Sequence, residues 1–147
     1  MNGSILPFHQ SIAVNDLARA RAFYVDVLGC AETRSIPDER IEFNFFGHHV
    51  VAHLCPEEAN RESTKLKVNG KLSGGPLRHF GIVMPLEQWQ ELDRKARVHN
   101  IEYAFEPQTL FKDKLEQKVM MLSDGCGNAV EFKGIAGDLS RLFAPKS

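Results

Sequence analysis

Phe8-His9-Gln10-Ser11-Ile12-Ala13-Val14 has an echo later in the chain, Arg78-His79-Phe80-Gly81-Ile82-Val83-Met84, and the offset from His9 to His79 is 70 residues. Each stretch is followed by a break and then by apolar residues at helical spacing. After Asn15-Asp16 these are Leu17, Ala20, Phe23 or Tyr24, Val27 and Leu28; after Pro85 they are Leu86, Trp89, Leu92 and Ala96. Asn15 or Asp16 can cap the first helix and Gly29 can stop it in a left-handed turn. Proline is tolerated in a first helical turn, so Pro85 opens the second helix, and Asn100 can end it. A period this long exceeds a solenoid unit and implies a duplicated half-domain.

Three strands are expected after each helix. In the first half they span 31–36, 40–46 and 49–54; in the second, 103–111, 117–122 and 129–133. Pro37-Asp38, Gly47, Ser123-Asp124-Gly125 and Gly127-Asn128 supply the turns between them. Each half therefore reads strand, helix, three strands, an α+β architecture. The organisation expected is one domain over 1–147: module one at 5–55, a connecting loop at 56–76, module two at 77–134 and a helical tail at 135–147. The loop is polar, with Glu57, Glu58, Arg61, Glu62 and Asn69-Gly70. The tail carries Leu139, Leu142 and Phe143 at helical spacing.

Strand side chains alternate between faces. Phe8, Gln10, Ile12 and Val14 share one face, suited to packing on a helix; His9, Ser11 and Ala13 share the other. The later strand repeats this, with Phe80, Ile82 and Met84 opposed to His79, Gly81 and Val83. Small residues beside a histidine leave volume for a ligand. In the last strand Glu131 stands opposite Val130 and Phe132, and a carboxylate in an apolar strand is costly to bury unless paired or bound to metal. Taken singly, each histidine has a plain structural role open to it. Two histidines at equivalent positions, facing alike, with a carboxylate on a later strand, form a set that holds Fe(II), Mn(II), Zn(II) or Ni(II) with positions left open for substrate. His9, His79 and Glu131 are therefore the expected metal ligands.

Composition excludes other classes. Eighteen basic and 19 acidic residues leave a net charge of −1, and basic residues are scattered. No nucleic-acid or membrane partner is expected. The first basic residue is Arg19, so no secretory n-region is read, and no apolar run approaches the roughly 18 residues of a membrane span. Cys30, Cys55 and Cys126 are odd in number and lack C-x-x-C spacing. They read as reduced thiols, and the expected location is the cytoplasm.

Four segments carry a resemblance: Phe8-His9; Ala22-Phe23-Tyr24-Val25-Asp26-Val27-Leu28-Gly29; Arg78-His79-Phe80-Gly81; and Asp124-Gly125-Cys126-Gly127-Asn128-Ala129-Val130-Glu131-Phe132. Together they resemble the vicinal oxygen chelate superfamily, which includes glyoxalase I, extradiol ring-cleaving dioxygenases, methylmalonyl-CoA epimerase, and fosfomycin and bleomycin resistance proteins. The resemblance spans nearly the whole chain. It implies paired βαβββ modules whose mixed sheets curl into a cup with helices outside. It also implies one divalent metal that chelates vicinal substrate oxygens, on a ligand set matched here by His9, His79 and Glu131. Bleomycin-type members share the fold without the metal, and the intact triad points away from them. The run Ile41–Leu54, with Arg78-His79-Phe80-Gly81, is similar to a group of predicted extradiol-type dioxygenases. That implies an oxidoreductase, with Fe(II) the favoured metal, acting on a small catechol-like molecule. A homodimer is implied by relatives that pair their modules across two chains.

His53 is the expected acid–base residue. It shares a face with His49 and Val51, and an imidazole exchanges protons near neutral pH; a fourth ligand or a plain cavity-lining role is also open to it. Superposing Gly47 on Gly127 makes Val51 the counterpart of Glu131. Glyoxalase I has a carboxylate ligand on the strand that here runs to Leu54, yet no Asp or Glu lies between His48 and Leu54. Ring-cleaving relatives usually have a tyrosine about ten residues before the metal glutamate, where this chain has Met121. Three activities are therefore carried forward: extradiol-type dioxygenase, redox-neutral lyase, isomerase or epimerase, and non-catalytic binding. Phe43, Phe45 and Phe111 are candidates for an apolar wall or for core; Lys112 and Lys114 for a solvated loop; His48, His49 and His99 for structural or surface positions.

Overall fold

Alternation and helical spacing resolve into two structurally equivalent modules in the computed structural model, which describes residues 4–68, 70–112 and 114–146. Asn69, half of an expected turn, lies outside the described residues. The chain divides into two compact units. Unit one is the described part of Met1–Arg61 together with Asp124–Asn128; unit two is that of Glu62–Ser123 and Ala129–Ser147.

Unit one contains β1 (His9–Val14), α1 (Leu17–Arg21), which continues as a π-helix over Ala22–Val27, then β2 (Ala31–Ile36), β3 (Arg40–Phe45), β4 (His48–Leu54) and the one-turn α2 (Pro56–Ala59). Its sheet order is β1-β4-β3-β2, with β1 parallel to β4 and the other pairs antiparallel. Asp16 is the cap that starts α1, its carboxylate accepting from the Arg19 N–H at 2.8 Å. The wide last turn, where Leu28 N–H reaches the Phe23 carbonyl, ends at Gly29 with φ +75°.

One face of this sheet is apolar. Ile12, Val14, Ile41, Phe43, Phe45, Val50 and Ala52 are buried with Phe23, Tyr24 and Val27 of the helix, and Tyr24 stacks on Phe43 at 5.1 Å. Phe43 and Phe45 are thus core, while Phe111 is exposed. The segment Asp124–Asn128 completes the unit. Asp124 is buried, and its carboxylate accepts from Tyr24 Oη, from Asn128 Nδ2 and from the N–H groups of Cys126 and Asn128, at 2.7–3.0 Å. Asn128 Nδ2 also donates to the Ala13 carbonyl at 2.8 Å. Four donors around one buried carboxylate remove the cost of its burial.

In unit two the segment expected to be a connecting loop is partly ordered. After α2 of unit one, β5 (Lys65–Val68) and β6 (Lys71–Pro76) pair antiparallel as a hairpin. Backbone pairing satisfies a polar segment that has few apolar residues for a core. Then come β7 (Phe80–Pro85), α3 (Leu86–Val98), β8 (Tyr103–Leu110), β9 (Gln117–Ser123) and β10 (Ala129–Ile135), in sheet order β7-β10-β9-β8. This order is the counterpart of unit one's, strand for strand. Pro85 precedes the helix as its cap residue, and Asn100 ends it at φ +53° while Ile101 N–H bonds the Ala96 carbonyl. Trp89 fixes α3 to β10: its indole N–H donates to the Phe132 carbonyl at 2.9 Å, and a Cβ at Gly134 would stand 2.7 Å from the Trp89 Cβ. The tail forms a single 3-10 turn, Leu139–Leu142. No helix among the described residues is long and apolar enough to cross a membrane.

Candidate metal-binding site

Strand register settles which positions correspond. In unit two Glu131 lies opposite Gly81, two residues after His79. In unit one Val51 lies opposite Ser11, two residues after His9. Val51 is therefore the counterpart of Glu131, as superposition of Gly47 on Gly127 predicts, and unit one has an apolar side chain where unit two has a carboxylate.

His79 stands immediately before β7, and Glu131 in the middle of β10. Both are about four-fifths buried, with side-chain exposures of 20% and 17%. His79 Nδ1 is 3.0 Å from the Pro76 carbonyl. A carbonyl only accepts, so Nδ1 carries the proton and the neutral ring has a bare lone pair on Nε2. That atom faces Glu131 Oε2 at 3.0 Å. Two acceptors at this distance require something between them: a proton, on the ring or on the carboxyl, or a metal ion that both ligate. Two ligands at right angles, each about 2.1 Å from a metal, are themselves about 3.0 Å apart. The donor set and its spacing fit a divalent ion.

Gly81 makes this approach possible. A Cβ there would stand 1.7 Å from the Glu131 carbonyl oxygen and 2.9 Å from its nitrogen. Beside the pair lies a cavity of about 240 Å³, lined by His79, Gly81, Val83, Glu131, Lys133 and, from the tail turn, Leu142 among others. Met121 is the register partner of Glu131 on β9, where a tyrosine is expected in ring-cleaving relatives.

His9, the first residue of β1, is exposed and belongs to unit one. Its ring stacks on His49, the residue opposite it on β4, with centroids 4.8 Å apart. His9 Nδ1 lies 2.9 Å from His49 Nδ1, and His49 Nε2 lies 3.2 Å from Glu42 Oε2. The carboxylate only accepts, so His49 holds its proton on Nε2. Its unprotonated Nδ1 then accepts from His9 Nδ1–H, and the unprotonated His9 Nε2 lies 3.5 Å from Ser11 Oγ, whose hydroxyl can donate to it. Arg40 Nε donates to the other oxygen of Glu42 at 3.4 Å. The hydrogen bond from His49, with Arg40 and Arg34 nearby, holds the Glu42 carboxyl below its usual range. Both candidate histidine ligands thus present Nε2, by different means.

Sequence reasoning missed Glu42 and took His49 for a structural or surface residue; His49 is exposed, and it also orients His9. The available signal was alternation: Glu42 lies at an even position of β3, on the face opposite buried Ile41, Phe43 and Phe45. His53 is exposed, on the same face as His49, opposite Ala13 and Arg40. It is four strand positions from His49, about 13 Å. Among the described residues no group of three or more His, Cys, Asp or Glu is gathered closely enough to hold a metal ion. Unit two brings together the pair His79–Glu131, and unit one the chain His9–His49–Glu42.

The model of the glyoxalase/bleomycin resistance protein/dioxygenase superfamily matches residues 7–132. Among solved structures, a glyoxalase/bleomycin resistance protein/dioxygenase from Alicyclobacillus acidocaldarius is 29% identical, with a TM-score of 0.72 over 94% of this chain and 97% of that one. Lactoylglutathione lyase from Agrobacterium tumefaciens is 17% identical, with a TM-score of 0.66 over 98% and 100%. A fosfomycin resistance protein from Listeria monocytogenes, as a variant complexed with Mn(II) and 1S,2S-dihydroxypropylphosphonic acid, is 16% identical, with a TM-score of 0.62 over 96% and 94%. No curated protein matches the chain.

Proposed function

The chain belongs to the glyoxalase/bleomycin resistance protein/dioxygenase superfamily, and on that premise we propose that it is a divalent-metal-dependent enzyme acting on a small substrate with vicinal oxygens. The observation that carries this reading is the approach of His79 Nε2 to Glu131 Oε2 at 3.0 Å, with Nδ1 already committed to a carbonyl. Such a pair is built to share a cation. His9, whose Nε2 is left unprotonated by the His49–Glu42 chain and lies 3.5 Å from the Ser11 hydroxyl, a contact that a metal would replace, is proposed as the third ligand. The triad expected from the sequence is retained on these grounds.

The metal, when bound, supplies a Lewis acid that polarises two adjacent substrate oxygens. The protein's own contribution is to fix the ligand atoms. Pro76 and Glu42, the latter through His49, set the histidine tautomers, and Gly81 lets Glu131 approach. Val83 and Leu142 give part of the cavity an apolar lining. His53, with an imidazole suited to proton exchange near neutral pH, is proposed to serve the end of the substrate remote from the ligands.

Two reactions fit this frame. Extradiol-type cleavage of a catechol-like compound, with Fe(II), is the reading carried by the sequence run Ile41–Leu54. Redox-neutral lyase, isomerase or epimerase chemistry is favoured by Met121, which puts a thioether where a phenol would assist ring cleavage. The fosfomycin resistance relative, bound to Mn(II) and a vicinal diol, also suits this reading. A homodimer and a cytoplasmic location belong to the same proposal. Anaerobic loading with Fe(II), Mn(II), Ni(II) or Zn(II), followed by oxygen uptake on a catechol panel, separates the reactions. Oxygen consumption supports cleavage; turnover on Ni(II) or Zn(II) without oxygen supports the second. Stoichiometric binding without turnover of any panel member refutes the enzyme reading.

A further inference from the structure

On the proposed metal-site reading, we infer that the substrate carries an anionic group beyond its two chelating oxygens, and that Lys133 binds it. Lys133 is two residues after Glu131 on β10 and lines the same cavity as His79 and Glu131. β10 is an inner strand of its sheet, and the register partners of Lys133 on either side are Val83 and Val119. The side chain is half-buried and forms no ion pair with a described residue. A half-buried lysine flanked by two valines on an inner strand gains little there from a structural role alone.

The charge balance points the same way. Glu131 is the carboxylate of this face, and a divalent ion engages it. Glu131 then offsets one of the ion's two charges, and Lys133 adds another. A cavity with two uncompensated positive charges selects an anion. Position fixes its form. Residues two apart on a strand are separated by about 6.6 Å. The anionic group therefore lies across the molecule from the chelating oxygens rather than beside them. A carboxylate opposite the diol of a small ring, or a phosphonate at the far end of a short chain, has that spacing. The cavity of about 240 Å³ suits a compact ligand.

A matched pair of probes tests this: catechol and 3,4-dihydroxybenzoate, which differ only by a carboxylate across the ring. Affinities are measured by calorimetry under anaerobic conditions on Mn(II)-loaded wild type, Lys133→Met and Lys133→Arg, after a separate Mn(II) titration of each. The expected result is that wild type prefers the carboxylated probe by about tenfold, the low end for a close charge pair at a binding site. The preference falls to near unity in Lys133→Met and is largely kept in Lys133→Arg. Equal affinities in wild type, or a preference that persists in Lys133→Met, overturn the inference and leave the metal site standing. Failure of wild type to bind Mn(II) overturns the metal site and this inference with it.

Discussion

Two histidines occupy equivalent places in two modules of the same topology, yet the modules aim them differently. In unit two, His79 is oriented by a backbone carbonyl and faces a carboxylate directly. In unit one, His9 is oriented by a second histidine, which a carboxylate on a third strand orients in turn. At the position facing each sheet's first strand, one module has Glu131 and the other Val51. A backbone contact cannot be lost by point mutation as easily as a side-chain relay can. The two modules thus share a frame and a histidine position and differ in the contacts that orient the ring.

The largest expected effect tests the unit-two pair. Glu131→Ala or His79→Ala removes one of two adjacent ligands, and Mn(II) affinity should fall by more than about 100-fold. Titration calorimetry reads this directly, and a variant that keeps wild-type affinity breaks the comparison. The backbone comes next. Gly81→Ala places a Cβ against the Glu131 carbonyl and should cost about 3 kcal/mol or more, measured by chemical denaturation. The counterpart in unit one, Ser11, already has a Cβ, so Ser11→Ala should change stability by less than about 0.5 kcal/mol. Equal costs would mean that the two first strands meet their neighbours alike.

A smaller effect is expected from the relay. His49→Ala or Glu42→Gln should weaken Mn(II) binding by about 10- to 100-fold without abolishing it, the usual cost of losing a group that orients a ligand. An unchanged affinity would remove His9 from the set. The smallest effect concerns thiols, all three of which lie in unit one. Burial raises the Cys30 thiol to about 11, and burial with the nearby Asp124 carboxylate raises Cys126 to about 12, from an ordinary value of 9.0. A folded pKa above the unfolded one gives stability that is whole below pH 9 and is lost as pH rises toward 11 and 12. A denaturation series over that range should show this decline, less steep in Cys30→Ala. At neutral pH a thiol-reactive dye should label exposed Cys55 alone until the protein unfolds.

Strand and helix positions were legible because both periods are clean. Ile41, Phe43 and Phe45 alternate with Arg40, Glu42 and Asn44, and Trp89, Leu92 and Ala96 mark one face of α3. The expected strand at 31–36 is β2 to the residue; the others differ at their ends, where pairing rather than side-chain pattern sets the limit. The β5–β6 hairpin was not legible, because its stability comes from backbone hydrogen bonds and not from an apolar face. In the site, the shared facing of His79 and Glu131 followed from alternation. The chain from His9 through His49 to Glu42 did not, since it depends on ring tautomers and on the register of three strands.

The segment Asp124–Asn128 also sets an order of events during synthesis. It belongs to unit one, while the strands at its two ends, β9 and β10, belong to unit two. Buried Tyr24 and its acceptor Asp124 are 100 residues apart in the chain. The amino-terminal module emerges first from the ribosome but cannot finish its core until the turn after β9 has also emerged. It must wait, with the Tyr24 hydroxyl unsatisfied, through translation of most of its sister module. An expressed fragment ending at Arg61 would stay in that waiting state, so the two modules, alike in topology, are not separable pieces.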